Sequence, residues 1–166
     1  MKNRIDKILE QVLLALMIFL VVDVLWQVLA RYLSKLMVNR FEIQIPTVLY
    51  SFTDELAGFL LIWVALLGAA YATGKKQHLA IDLLSSRLSL KGKIILNKFI
   101  SFLILFFATA VLLFGGTWLV YTRFYLGQVS SAMEIPIGVV YLIVPLSGLL
   151  ISYYTIFDFV SASKNF

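Results

Sequence analysis

An all-α integral membrane protein with four transmembrane helices is the fold class this sequence predicts, on three observations. Hydrophobic residues are 61% of the 166 and charged residues 14%, against roughly 45–50% and about 25% in soluble domains. The apolar residues gather into four long stretches, 9–34, 53–73, 94–122 and 136–157. Each is long enough for a hydrocarbon core that takes roughly 20 helical residues. Finally, continuous apolar runs such as 102–115 show no period-two alternation, which excludes a barrel, the other structure that lipid permits. The stretches make a single membrane domain over 1–166.

The composition also excludes chemistry. With no cysteine, disulfide scaffolds, thiol catalysis and Cys-ligated zinc or iron–sulfur sites are ruled out. The one histidine, His78, cannot supply both ligands of a bis-histidine haem. A net charge of +5 would suggest nucleic acid in a soluble chain. Here its distribution along the membrane matters more than its sum, and no nucleic-acid partner is expected. There is no nucleophile-elbow sequence, phosphate loop, acidic pair at midplane or metal-ligand cluster, so neither enzymatic activity nor a cofactor is expected.

The first stretch follows Lys2 and Arg4, as in a signal peptide, but continues to Leu33 without a small-residue cleavage site. A cleaved signal has an apolar core of only about 7–15 residues, so an uncleaved anchor is expected. Within it Asp23, Gln27 and Arg31 fall at i, i+4 and i+8, forming one polar face. A carboxylate at the depth of Asp23 costs roughly 2.5–3.5 kcal/mol on insertion scales and must face protein. It is read either as an ion or proton site or as a packing residue bonded to Gln27 or a neighbouring helix. Arg31 reaches Glu55 or Asp54 at the head of the second stretch, or snorkels to headgroups.

The connection 35–51 is apolar-rich around Pro46 and is expected to lie along the outer surface. Small residues Ala65, Gly68, Ala69 and Ala72 form a smooth stripe on the second stretch, where another helix can approach closely. After it, Leu79, Ala80, Leu83, Leu84 and Leu88 fall near one helical face, opposite Asp82, Ser85, Ser86 and Ser89. That pattern predicts a short interfacial helix. Lys91 and Lys93 follow it, among anionic lipid headgroups. Ala108 with Gly115 on the third stretch, and Gly148 with Ser152 on the fourth, are further small-residue steps. Pro145 removes the hydrogen bond to the Tyr141 carbonyl and predicts a kink.

Orientation follows from Lys and Arg in short connections. With the N-terminus inside, the inner segments hold Lys2, Arg4, Lys7, Lys75, Lys76, Arg87, Lys91, Lys93, Lys98 and Lys164; the outer ones hold Arg31, Lys35, Arg40 and Arg123. Both termini are therefore expected in the cytoplasm.

A family resemblance rests on motifs in order. Residues 27–32 read Gln-Val-Leu-Ala-Arg-Tyr; Asp54-Glu55-Leu56 opens the second stretch, with Trp63 and Leu67-Gly68-Ala69-Ala70 within it. Gly74, His78 and Asp82 follow, then Ser130-Ser131-Ala132-Met133-Glu134-Ile135-Pro136, Tyr141 and Pro145. Over 27–145 the chain resembles the small membrane subunit (DctQ/SiaQ type) of a tripartite ATP-independent periplasmic (TRAP) transporter.

The resemblance implies a multi-pass protein of the bacterial inner membrane, bound to a large DctM-type permease subunit that carries the substrate and sodium sites. It also implies a periplasmic substrate-binding protein as partner, and a scaffold role for this subunit beside the elevator-type large one. Among the family's organic anions, sialic acid is favoured over C4-dicarboxylates. Two other classes stay open: a small four-helix cation or drug exporter using Asp23, and a membrane anchor of a respiratory complex.

The topology is tested by single cysteines at Ser131 and Ser85. In intact cells an impermeant thiol reagent should label Ser131→Cys and spare Ser85→Cys; the reverse pattern would invert the orientation.

Overall fold

Where an apolar stretch has no water to serve its backbone, helical hydrogen bonding is the available solution. The computed structural model describes residues 2–41, 48–75 and 90–163. Its helices are α1 (Lys2–Phe41), α2 (Val48–Gly74), α3 (Leu90–Phe107), a π-helical stretch (Ala108–Gly115), α4 (Gly116–Tyr125), α5 (Ile137–Tyr141) and α6 (Ile143–Ser163). Among the described residues four segments are long and apolar enough to cross a membrane: Arg4–Met37, Ser51–Gly74, Ile95–Tyr125 and Ile137–Phe159. The connection between the first two is shorter than the sequence suggests, because α1 continues to Phe41 and α2 begins at Val48. The proposed interfacial helix, His78 and Asp82 lie outside the described residues, as do the side chains of Lys91 and Lys93.

The 40 residues of α1 rise about 60 Å. Between positions 9 and 34 the residues that are not exposed are Leu9, Leu13, Leu16, Leu20, Asp23, Gln27, Ala30 and Ser34. Their alternating steps of four and three form an unbroken heptad seam, the geometry of two helices packed along their length. That seam lies along α2.

α6 is the most buried of the spans. It packs against α2, the π-helical stretch and α3, and its Ile143 and Ile151 join Leu9, Leu67, Ala70 and Ala108 in the core. The seam with the π-helical stretch is closed by absent side chains. A Cβ on Gly148 would come 2.9 Å from the Leu113 amide nitrogen and 3.0 Å from the Ala108 carbonyl. A Cβ on Gly116 would lie 2.8 Å from Val144 Cγ1. In lipid, helices gain little from the hydrophobic effect, and close backbone approach is what holds them. Gly116, rather than Gly115, shares this face with Ala108, because the wider π turns shift the register of the helix. On α2, likewise, the buried residues are Thr53, Leu67, Ala70 and Gly74, whereas a Cβ on Gly68 would meet nothing within 4 Å.

Polar groups tie the helices at the N-terminal end of α1. The fully buried Tyr154 donates its hydroxyl to Asp6 Oδ1 at 2.7 Å. Lys75 Nζ stands 4.0 Å from Asp6 Oδ2. Lys2 pairs with Asp158 at 3.2 Å and lies 5.4 Å from the centre of the Phe157 ring. One turn further along, Tyr71 donates to Glu10 at 3.4 Å. The start of α1 and the ends of α2 and α6 thus share one cluster.

Alanine at two glycines separates the close seam from the open face. Gly148→Ala should lower the thermal midpoint of the detergent-solubilised chain, since forcing a methyl into a packed seam costs about 1–3 kcal/mol. Gly68→Ala should leave the midpoint unchanged or raise it, because helix propensity favours alanine by about 1 kcal/mol.

Candidate functional site

At the other end of the α1–α2 pair, two acidic neighbours on α2 take different partners. Arg31 Nη2 donates to both oxygens of Asp54, to Oδ2 at 2.6 Å. Both side chains are about half exposed. Glu55, one residue further along α2, turns to the loop between α4 and α5. Arg31 therefore meets Asp54, not Glu55, because adjacent helical positions point about 100° apart and cannot face one neighbour together.

The loop that Glu55 meets is built to present backbone donors. α4 ends in a Schellman motif: Gly127 adopts φ 58°, its N–H reaches the Phe124 carbonyl at 3.1 Å, and the Gln128 N–H reaches Arg123 at 3.2 Å. The Arg123 guanidinium also donates to the Gln128 side chain and lies 5.6 Å from the centre of the Tyr141 ring. Ile137 N–H to Gln128 O at 2.9 Å and Ser130 N–H to Ile135 O at 2.9 Å close the loop on itself. Pro136, which has no N–H to give, stands opposite Val129 just before α5.

Inside this closure, residues 130–134 form one isolated turn, Glu134 N–H to Ser130 O at 3.1 Å. Such a turn leaves its first amides without partners. The Glu55 carboxylate fills that need. It accepts from the amides of Ser131 at 3.0 Å, Ala132 at 3.0 Å and Met133 at 3.2 Å. The Ser131 hydroxyl donates to it at 2.8 Å, and so does that of the buried Ser130. The Met133 amide also reaches Ser130 Oγ at 3.2 Å, in the manner of a helix cap. Five donors on one carboxylate leave the loop little freedom. Beyond it Glu134 sits exposed with φ 55°, a left-handed conformation that is uncommon outside glycine.

A second side chain of α2 serves a second interruption. The fourth span breaks at Leu142, three residues before Pro145, where the missing proline N–H leaves the Tyr141 carbonyl without its helical donor. Trp63 donates its indole N–H at 3.0 Å to the Val140 carbonyl, in the last turn of α5. Pro145 itself packs at the Gly116 seam. Trp63, Tyr141 and Pro145 are thus gathered around one break, and Ser131 and Pro136 belong to the loop. Asp23 and Gln27 sit apart on the α1 seam, half-buried, with no hydrogen bond between them. Among the described residues, no group of three His, Asp or Glu side chains could hold a metal ion.

The site thus comprises a closed loop, a two-helix clamp and a kinked last span, and comparison with known proteins says to which family such a chain belongs. Residues 20–165 match the family described as tripartite ATP-independent periplasmic transporters, DctQ component. The chain belongs to the DctQ family. It is also 30% identical over 102 residues to a Haemophilus influenzae protein named as a TRAP transporter small permease protein. That match covers 61% of this chain and 62% of the relative. As a DctQ-type chain it is a transport component rather than an enzyme, and a multi-pass protein of the bacterial inner membrane.

Sequence reasoning missed the bond between Glu55 and the Ser130–Ser131 turn. Its one available signal was a serine pair lying between a glycine and a proline, with no element of its own to serve.

A pair of double-mutant cycles on the isolated chain separates the two carboxylates. Arg31→Ala and Asp54→Ala should be non-additive in thermal stability by about 0–1 kcal/mol, the range of an exposed pair. Arg31→Ala and Glu55→Ala should be additive. Coupling of Arg31 to Glu55 instead would contradict this pairing.

Proposed function

We propose that this DctQ-type chain is the small permease subunit of a sodium-coupled TRAP transporter for organic anions, with sialic acid favoured over C4-dicarboxylates as the first anion to test. It forms a single membrane domain over 1–166, with both termini cytoplasmic and an interfacial helix along the inner surface. It binds a DctM-type large subunit and gives it a static surface to move against. The family match over 20–165 carries this reading.

The geometry supports a static role. The fourth span is locked to its neighbours through buried small residues, and the 130–134 turn and the last turn before the Leu142 break are held by side chains of α2. In this orientation the loop held by Glu55 faces the periplasm. It offers a ledge of fixed shape, with Glu134 exposed on it, to the periplasmic substrate-binding protein. Lys91 and Lys93 meet lipid headgroups on the opposite side, and His78 and Asp82 belong to the same inner connection.

Reconstitution tests the reading. Alone in liposomes the chain should give no sodium-driven uptake of sialic acid or a dicarboxylate. Uptake should require the large subunit and the binding protein together. Robust uptake by the chain alone would overturn the scaffold role and favour an exporter-like mechanism through Asp23.

A further inference from the structure

Among the described residues Asp23 has no counterpart. It lies eight residues from Arg31, about 12 Å of helical rise toward the interior of the span. Its Oδ2 is buried with no hydrogen-bond partner. Arg31 is committed to Asp54, and the next basic residue on α1 in the other direction is Lys7. α2, the helix facing Asp23, contains no Lys or Arg from Val48 to Gly74. A carboxylate in hydrocarbon needs a cation or a proton, and the described residues offer no cation at this level.

The surroundings leave room for one. The Arg31–Asp54 and Glu10–Tyr71 contacts fix the antiparallel register of α1 and α2. That register sets Asp23 level with residues 58–62 of α2 and Gln27 with residues 54–58. A Cβ on Gly58 would meet nothing within 4 Å. Gly58 and the residues flanking the α1 seam at this depth, Val24, Trp26 and Val28, are exposed. The α1–α2 pair therefore carries a notch at mid-span: apolar at its edges, floored by glycine, and holding one unpaired carboxylate with an amide a turn away.

We infer that this notch receives a transmembrane helix of the large permease subunit, and that the helix brings a basic side chain to Asp23. The inference rests on the proposed function and names where that subunit binds. Charge complementarity selects the occupant. A lipid chain would leave the carboxylate unpaired, whereas a Lys or Arg on a protein helix would neutralise it and accept Gln27 as a neighbour. An intramembrane ion pair of this kind also fixes the rotation and depth of one helix against the other, which apolar packing alone does not.

The test is co-purification of the small subunit, co-expressed with its tagged cognate large subunit. Wild type should be retained. Asp23→Asn keeps size and polarity but removes the charge, and should weaken retention by about three- to thirtyfold, the range of polar contacts between membrane helices. Asp23→Glu should keep most of it. Gly58→Leu fills the notch without touching Asp23 and should also weaken retention. The thermal midpoint of each variant alone shows whether it is folded. If folded Asp23→Asn is retained at the wild-type level, the inference is overturned while the subunit assignment stands. Should Asp23→Asn fail to fold, Gly58→Leu decides: loss of retention supports the inference and wild-type retention overturns it. Failure of the wild type itself to be retained would overturn the subunit assignment and this inference with it.

Discussion

A backbone amide or carbonyl left unpaired at the edge of a hydrocarbon layer is costly, and two interruptions of regular helix in this chain are served from one helix. Glu55 and Trp63 both come from α2. The first satisfies three amides of the 130–134 turn, and the second a carbonyl beside the Leu142 break. α2 also forms the seam with α1 and packs on α6. It is the helix against which the less regular second half of the chain is held in shape.

Packing in the other half of the molecule follows a different logic. α6 and the π-helical stretch meet where Gly116, Gly148, Ala108 and Ser147 bring backbone close to backbone. The Tyr154–Asp6 bond then joins α6 to the start of α1. Polar side chains close the bundle at this end, and the Arg31–Asp54 pair closes α1 on α2 at the other. Between the two ends the contacts are apolar or small apart from Asp23 and Gln27 on the α1 seam and the Trp63–Val140 hydrogen bond, as expected where the medium is as apolar as the side chains.

Asp54, Glu55 and Asp23 meet three different fates. Asp54 is paired to a cation of the same chain, Glu55 is saturated by a loop, and Asp23 is left with a buried oxygen that no described residue serves. The first two are internal structure. The third is the group that the inferred helix of the large subunit would neutralise. The long apolar surfaces of α1 and α3, with Phe19, Trp26, Phe102 and Phe106 exposed, suit lipid or a second subunit and require no further polar chemistry.

The sequence by itself determined the class of fold and the membrane spans, because hydrocarbon imposes length and composition on any segment that crosses it. It also determined that Arg31, Asp54 and Glu55 share one end, and the motif order that leads to the family. It could not determine which side of a uniformly apolar helix faces inward. On α1 the seam residues Leu9, Leu13, Leu16 and Leu20 stand among equally apolar neighbours, so the heptad is visible only once α2 lies against it. Gly116 replaces Gly115 in the seam for a similar reason, since the π-helical turns change a periodicity that was read as α-helical. Asp54 and Glu55 are adjacent and chemically alike. Only the rotation of α2, set by its packing, turns one to Arg31 and the other to the amides of a loop 75 residues away.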